Sequence, residues 1–260
     1  MLLQADASQL EWRCLVWLAQ DPVGIREILA KDDIHANNQR AWNLAPGDEG
    51  RLIAKTFLFR TIYRGSGWAF ANDPQFMHVS TDPKFWDEMN RKFYAKYQGI
   101  ERLHTRWAQL VTSRQPITGP TGRQWDVLMK KVTKVDRFTG QKRVEEQIPW
   151  TVLTNYPVQG TSADIMAVAR VIIFNRMRKE NIRGVLTSTV HDSIVLDIED
   201  DELHRAARLL YGAFDDLPAN FIKLFKVDMN IPFSCECKFG PNMADMKKIL
   251  PKDLNNEICN

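Results

Sequence analysis

The sequence lacks any run of about 18 consecutive apolar residues, so it predicts no membrane-spanning helix. Its N-terminal residues turn acidic at Asp6, which is too early for a signal peptide. None of the four cysteines belongs to a C-x-x-C pair, and this argues against a zinc site. Internal repeats and low-complexity segments are also absent. These absences lead us to expect a globular protein of the cytoplasm with no membrane partner.

The composition that remains is typical of a globular chain, with 44% hydrophobic and 26% charged residues among 260. The formal net charge is only +3, but the positive charge is unevenly distributed. Between Arg102 and Arg143 there are ten Lys or Arg residues and only two Asp residues. A local basic stretch favours contact with phosphates, although an ordinary solvated surface would have the same composition.

Hydrophobic periodicity predicts one small sheet and many helices. A buried strand is predicted from residue 2 to about residue 6, and apolar runs at 185–190 and 194–198 predict a hairpin with His191 and Asp192 at its tip. Further strands are predicted at 124–128, 144–148 and 227–237. The predicted helices cover 11–20, 24–31, 49–63, 82–97, 99–114, 158–180 and 200–214, and another begins at 34. This order predicts an α+β fold: a small antiparallel sheet with a largely helical insertion between its strands.

Two aspartates, Asp6 and Asp192, are far apart in the sequence, yet each is predicted at the end of a strand of the same sheet. Two carboxylates about 4 Å apart would repel each other by roughly 4 kcal/mol at an effective dielectric of 20. A bound divalent cation reverses the sign of that interaction. The spacing alone leaves two interpretations open: a metal-binding pair, or two unrelated turn and capping residues.

One predicted helix carries four residues at strict four-residue spacing: Arg51, Lys55, Phe59 and Tyr63. Successive side chains in such a series drift by only about 40° around the helix, so they form one stripe. A core stripe would carry Leu or Ile, and a solvated face would not include Phe and Tyr. Because cations suit phosphates and aromatic rings suit bases, the stripe indicates a nucleotide-binding helix.

Four segments together resemble the motifs of the family A DNA polymerases, the DNA polymerase I group: D-A-S-Q-L-E-W-R at 6–13, R-L-I-A-K-T-F-L-F-R-T-I-Y at 51–63, N-Y-P-V-Q-G-T-S-A-D at 155–164 and V-H-D-S at 190–193. The resemblance covers nearly the whole chain, from Leu2 to about Met246. It implies a polymerase palm at 1–34 and 116–260, the second segment including a basic hairpin. It also implies a mostly helical fingers insertion at 35–115.

The resemblance implies roles for individual residues. Asp6, Asp192 and the carbonyl of Ala7 would hold two Mg²⁺ ions, with Mn²⁺ as a substitute, and Lys55 would join the two aspartates as a catalytic residue. Glu11 would act as a steric gate against a ribose 2′-hydroxyl. The implied dNTP-binding residues are Gln9, Glu11, His35, Arg51, Lys55, Phe59 and Tyr63. The implied DNA-binding residues are Arg123, Asn155, Gln159 and His191, where Asn155 and Gln159 are expected at the start of a helix.

The implied function is a template-directed DNA polymerase that acts on primer–template DNA and dNTPs. Two alternatives remain open: a catalytically weak module that binds primer–template DNA and needs a partner chain, and a single-subunit RNA polymerase-like enzyme. Glu11 and the segment around Gln159 favour DNA synthesis over RNA synthesis.

Some positions depart from the family pattern. Arg60 and Arg64 stand where glycines are usual, Ser193 stands where a Glu is usual, and Ala7 stands where a Tyr is usual. The thumb and exonuclease domains are also absent from this sequence. We therefore expect a split phage-type polymerase, acting in a host-cell cytoplasm, whose thumb and 3′–5′ exonuclease lie on a separate chain. A truncated polymerase would have the same sequence.

Overall fold

A computed structural model of the protein describes residues 1–135 and 139–255. The α-helices of the described part are α1 (Leu10–Ala19), α2 (Pro22–Leu29), α3 (Ile34–Ala41), α4 (Asp48–Thr61), α5 (Gly67–Ala71), α6 (Pro83–Lys96), α7 (Gln98–Thr112), α8 (Trp150–Lys179), α9 (Leu203–Asp215) and α10 (Leu217–Phe225). Its strands are β1 (Leu2–Ala7), β2 (Ile117–Thr118), β3 (Gln124–Trp125), β4 (Lys130–Val135), β5 (Lys142–Gln147), β6 (Gly184–Val190), β7 (Ser193–Ile198), β8 (Cys235–Gly240) and β9 (Lys247–Ile249). In this part of the chain, no helix combines the length and the apolar character that crossing a membrane requires.

The chain forms two compact units. The first unit contains Met1–Cys14 and Gly160–Asn260, and the second contains Leu15–Gln159. The divisions fall inside α1 and α8, so each of these helices contributes residues to both units.

The first unit is built on a five-stranded sheet in the order β6-β7-β1-β8-β9, in which all neighbouring strands are antiparallel. The side chains of β1 alternate in burial, so that Leu3 and Ala5 are fully buried while Asp6 is only half-buried. Helix α9 contacts β1 and β8, and its Leu210 and Phe214 are fully buried. The alternation places the apolar side chains of β1 in the core and leaves Asp6 on the other face.

The second unit packs its helices around an aromatic cluster. The ring centroid of Phe57, on α4, lies 4.8 Å from those of Trp42 and Phe70 and 5.5 Å from that of Trp86. Phe76 contacts Phe70 with a centroid distance of 5.2 Å. Aromatic pairs in such tilted and edge-to-face arrangements are stabilising beyond the area that they bury. The cluster therefore fixes the buried face of α4 and leaves its opposite face available.

A buried polar network fixes α3 in the same unit. The hydroxyl of Tyr97 donates to Glu27 at 2.8 Å and to Asn38 at 3.2 Å. The ammonium group of Lys96 donates to Asn38 at 2.9 Å and lies 2.9 Å from the Glu27 carboxylate. Glu27 is only 7% exposed, so burial of its charge costs free energy. The hydrogen bond from Tyr97 and the charge of Lys96 offset that cost.

The predicted α+β class is confirmed, as are the N-terminal strand and the hairpin with His191 and Asp192 at its tip. The predicted strand at 227–237 is wrong, because the last strands are β8 and β9. Met229, Ile231 and Phe233 are buried alternately, which imitates a strand, but no sheet ladder of the described residues includes them.

The predicted start of the long helix at 158 is also wrong, because α8 begins at Trp150 and continues through Pro157. Proline disfavours a helix interior, but Leu153 and Val158 on either side of it are fully buried. Their burial stabilises the continuous helix. The stretch 116–149 contains four strands where two were predicted, and α10 was not predicted at all.

Candidate functional site

The first unit brings Asp6 and Asp192 together at one end of its sheet. Asp6 is opposite Ser193 in the β1–β7 register, and the backbone N–H of Ala7 donates to the carbonyl of Asp192 at 2.8 Å. Asp192 is the second residue of a two-residue hairpin, and its neighbour His191 has φ +53, as such a tight turn requires. The hydroxyl of Ser193 donates to the carbonyl of Val190 at 3.1 Å, which closes the turn.

The electrostatics of Asp6 reflect this placement. Burial raises the pKa of the Asp6 carboxyl above its ordinary value, and the nearby Asp192 and Glu236 raise it further, while Lys238 acts in the opposite direction. Glu236 is directly opposite Asp6 in the β1–β8 register, and its carboxylate lies 2.7 Å from the ammonium group of Lys248. Two half-buried carboxylates close together, of which Asp6 has a raised pKa, form a site that favours a cation.

This donor set fits magnesium. Mg²⁺ usually keeps several waters and is bound through one or two carboxylates together with substrate phosphates. Within residues 1–135 and 139–255, no three His, Cys, Asp or Glu side chains converge into a complete metal cage. Asp6 and Asp192 therefore provide a partial ligand set of the kind that Mg²⁺ accepts from a protein.

The second unit contains the predicted nucleotide-binding stripe. Arg51 and Lys55 are exposed on α4, and Phe59 is half-buried. The helix ends at Thr61, so Tyr63 lies just beyond it, in a turn where its backbone N–H donates to the carbonyl of Arg60 at 3.2 Å. Lys55 forms no ion pair with any described residue. Arg51, Lys55 and Phe59 thus follow one another along α4 at four-residue spacing, whereas Tyr63 lies outside the helix on which it was predicted.

Helix α3 places His35 beside this stripe. The ring centroid of His35 lies 6.4 Å from that of Phe59, and the Nδ1 atom is buried without a hydrogen-bond partner. Burial, followed by the positive charges of Arg51 and Lys55, lowers the pKa of His35 to about 4. The imidazole is therefore neutral at pH 7, so any contact that it makes with a phosphate is a hydrogen bond rather than an ion pair.

Asp33 links α3 to α4. Its carboxylate accepts hydrogen bonds from the backbone N–H groups of His35 and Ala36, and it also accepts two from Arg51 at 3.1 and 2.9 Å. Burial acts to raise the pKa of the Asp33 carboxyl, but the hydrogen bonds from Ala36 and Arg51 outweigh it and lower the pKa. The pairing of Asp33 with Arg51 was not predicted, because the sequence carries no local signal for it.

Both arginines that replace family glycines have partners inside the second unit. Arg60 pairs with Asp73. The guanidinium of Arg64 lies 4.1 Å from the ring centroid of Tyr94 and 5.0 Å from that of Trp150, and it lies 3.0 Å from Glu101. These arginines therefore stabilise the end of α4 and the turn after it.

The predicted DNA-binding residues are divided between the units. Asn155 and Gln159 are four residues apart on one side of α8, in its second and third turns rather than at the start of a helix as expected. Arg123 is exposed at the β2–β3 hairpin, where its carbonyl accepts from Gly119 at 2.8 Å. His191 is exposed in the first unit, which also contains Gln9 and Glu11.

Comparison with known proteins gives a consistent result. A model of DNA polymerase family A matches residues 1–245. The chain is 27% identical to DNA polymerase I of Chloroflexus aurantiacus over 249 residues, which are 94% of this chain and 24% of that protein. It is 23% identical to the DNA polymerase of Bacillus phage SP01 over 261 residues, which are 98% of this chain and 27% of that protein. The chain thus spans about a quarter of the length of these relatives.

The fold is similar to a solved structure, the POL domain of Pol1 from M. smegmatis in complex with DNA primer-template and dNTP. The TM-score is 0.71 at 17% sequence identity, over 92% of this chain and 39% of that one. The family match covers nearly all of the chain, including Asp6, Asp192 and the whole of α4. The chain therefore belongs to DNA polymerase family A.

Proposed function

We propose that this chain is a template-directed DNA polymerase subunit, which adds deoxynucleoside monophosphates to a primer 3′-end and releases pyrophosphate. The observation that carries the proposal is the placement of Asp6 at the end of β1 beside Asp192 in the β6–β7 hairpin turn, in a family A chain. The relatives that it matches are named DNA polymerases, and the similar solved structure is titled as a complex with primer-template and dNTP.

In this proposal, Asp6, Asp192 and the carbonyl of Ala7 hold two Mg²⁺ ions, and Mn²⁺ can replace them. Bound there, the ions would lower the pKa of the primer 3′-hydroxyl and neutralise charge on the triphosphate. The contribution of the chain itself is to hold the two carboxylates close together through the β1–β7 ladder, at the energetic cost that the raised pKa of Asp6 indicates.

The second unit supplies the groups for the nucleotide. Lys55 is exposed and without an ion pair among the described residues, so its ammonium group is available to bind the triphosphate and to neutralise charge in the reaction. Arg51 would join it from its position beside Asp33, and Phe59 and Tyr63 would flank the base. The remaining proposed dNTP contacts are Gln9, Glu11 and His35.

The proposed DNA contacts are Arg123, Asn155, Gln159 and His191. Amide groups such as those of Asn155 and Gln159 can donate to the minor-groove acceptors that all base pairs share. In this proposal, residues 1–34 and 116–260 form the palm, and residues 35–115 form the fingers. The proposed enzyme is of phage type and acts in a host-cell cytoplasm.

Primer extension tests the proposal. The protein is incubated with a primed template, Mg²⁺ and all four dNTPs, in parallel with Asp192→Asn, which keeps the side-chain volume and removes the charge. We expect extension by the wild-type chain and a loss of at least about 100-fold in the variant, because charge neutralisation is a major part of phosphoryl-transfer catalysis. Replacing dNTPs by NTPs should abolish extension.

Three results would contradict the proposal. Equal extension by wild type and Asp192→Asn would show that the carboxylate pair does not catalyse it. Preferential use of NTPs would indicate an RNA polymerase. Binding of primer–template without extension, even with a polymerase thumb chain added, would indicate a binding module.

A further inference from the structure

The β4–β5 hairpin of the second unit is a two-stranded ribbon whose principal packing is between its own strands. Its apolar residues bury little: Val135 is 55% exposed and Val144 is 63% exposed. A two-stranded hairpin without a buried apolar face is only marginally stable in water. The ribbon also places Lys134 directly opposite Arg143, and like charges in that arrangement are destabilising. Its composition therefore does not serve its own stability.

The ribbon carries four exposed cations that form no ion pair with a described residue: Lys130, Lys131, Lys142 and Arg143. The other charged side chains of the ribbon form ion pairs within the ribbon or with a residue next to it. Lys134 lies 2.7 Å from Glu145, and Glu146 lies 3.4 Å from Arg114. The four unpaired cations therefore give the ribbon a net positive charge that no described neighbour compensates.

The register divides these cations between the two faces of the ribbon. Lys130 is opposite Gln147 and Lys134 is opposite Arg143, so Lys130 and Arg143 point to one face. By the same alternation, Lys131 and Lys142 point to the other face. Solvation alone does not require cations on both faces of the ribbon. A ribbon that lies in a groove between two phosphate backbones would contact phosphates with the cations of both faces.

We propose that the β4–β5 ribbon is a duplex-binding arm that inserts into the major groove of B-form DNA and contacts phosphates on both sides. A β-sheet with its side chains is about 10 Å thick, and the major groove of B-DNA is about 12 Å wide. The minor groove of B-DNA, at about 6 Å, is too narrow, and the major groove of A-form RNA is too narrow and deep. The contacts are to phosphates, so the arm binds duplex DNA without regard to sequence.

This inference rests on the proposed DNA polymerase function and adds a grip on the duplex that is distinct from the residues around Asp6 and Asp192. The test measures binding of a fluorescein-labelled 24-base-pair DNA duplex by anisotropy, in EDTA and without dNTPs, between 50 and 200 mM KCl. The variant replaces Lys130, Lys131, Lys142 and Arg143 by Gln. The matched control replaces four exposed lysines elsewhere by Gln, with the same change in net charge: Lys31, Lys92, Lys223 and Lys252.

If all four cations contact phosphates, the slope of log K against log[salt] should fall in magnitude by about 3.6 in the ribbon variant. The ratio of wild-type to variant affinity should then shrink by about 150-fold from 50 to 200 mM KCl. The control should keep a slope close to that of the wild type. A charge-preserving variant, with the three lysines changed to Arg and Arg143→Lys, should retain wild-type binding, which separates loss of charge from loss of folding.

Four results would overturn the proposed arm. The first two are no measurable duplex binding by the wild type, and equal salt-dependence slopes for the ribbon variant and the control. The third is an equal loss of affinity for an RNA duplex of the same sequence, and the fourth is aggregation of the ribbon variant with unchanged affinity for DNA. The last result would mean that the lysines only guard exposed strand edges. Primer extension with Asp192→Asn is measured separately, so that a failure of the polymerase function and a failure of the arm remain distinguishable.

Discussion

Replacing Asp6 by Asn should make the metal-free protein more stable. Asp6 is half-buried and faces Asp192 and Glu236, and together with burial these carboxylates raise its pKa. A raised pKa means that the folded state disfavours the charged form of this side chain. Asn has nearly the same shape as Asp and carries no charge. The substitution therefore removes a repulsion while it also removes a proposed metal ligand.

The magnitude follows from the strand register. Glu236 is directly opposite Asp6 on β8, and Asp192 directly precedes Ser193, the residue opposite Asp6 on β7. Like charges on adjacent strands are destabilising by about 0.2–1 kcal/mol each, and Lys238 offsets part of the sum. We expect a gain of about 1 kcal/mol in the free energy of unfolding, which corresponds to about 2–4 °C in Tm for a chain of this size.

The assay is thermal unfolding followed by circular dichroism, in EDTA and in 10 mM MgCl₂. In EDTA, the Asp6→Asn variant should unfold at a higher temperature than the wild type. Mg²⁺ should raise the Tm of the wild type, because it binds the folded state, and should leave the variant nearly unchanged. The exposed Asp126→Asn serves as control and should show neither effect.

The pH dependence has a definite sign. Because the folded-state pKa of Asp6 is above its unfolded value, its contribution to stability is present below the unfolded pKa and is lost as pH rises through the folded pKa. The stability gap between variant and wild type should therefore open as pH rises through that interval. A variant that is less stable than the wild type in EDTA at pH 7, or equally stabilised by Mg²⁺, would refute the reasoning.

Three other predictions concern the second unit. Arg64→Ala should lower the free energy of unfolding by about 1–2 kcal/mol, because contacts with the Tyr94 and Trp150 rings are lost; denaturant titration measures it, and no change would contradict it. Phe59→Tyr should increase dideoxynucleotide incorporation relative to deoxynucleotide in primer extension, because the family resemblance implies that a ring without a hydroxyl at this position discriminates against dideoxynucleotides; efficient dideoxynucleotide use by the wild type would contradict this. The His35 imidazole should not titrate in NMR spectra above pH 5, and its contribution to stability, present above about pH 6.5, should be lost as pH falls toward 4.

The sequence predicted the positions of Asp6 and Asp192 in the fold well, because these positions depend on short-range signals. Two apolar runs separated by three residues, His191, Asp192 and Ser193, indicate a hairpin, and the structure places His191 and Asp192 at its tip. The alternating burial of β1 likewise separates Asp6 from its apolar neighbours. The stripe on α4 was predictable for a similar reason, since spacing along a helix fixes which side chains share a face.

Other features depend on partners that are distant in sequence, and no local pattern predicts them. The pairing of Arg51 with Asp33 requires α3 and α4 to lie side by side, and the cross-strand neighbour Glu236 requires β8 to pair with β1. The continuation of α8 through Pro157 is decided by burial of Leu153 and Val158, which outweighs the local preference of proline. In each case tertiary contacts override or extend the local pattern.

The hydrogen bond from the Ala7 N–H to the Asp192 carbonyl means that main-chain atoms, rather than side chains, hold the two carboxylates together. The side chains at positions 7 and 193 are therefore not what joins the aspartates, although both are buried and the Ser193 hydroxyl closes the hairpin turn, so replacements there must be small. This chain carries Ala and Ser there, where its family usually has Tyr and Glu. Libraries of small residues at these two positions should yield folded proteins in which the proposed cation site differs in its preference among divalent cations.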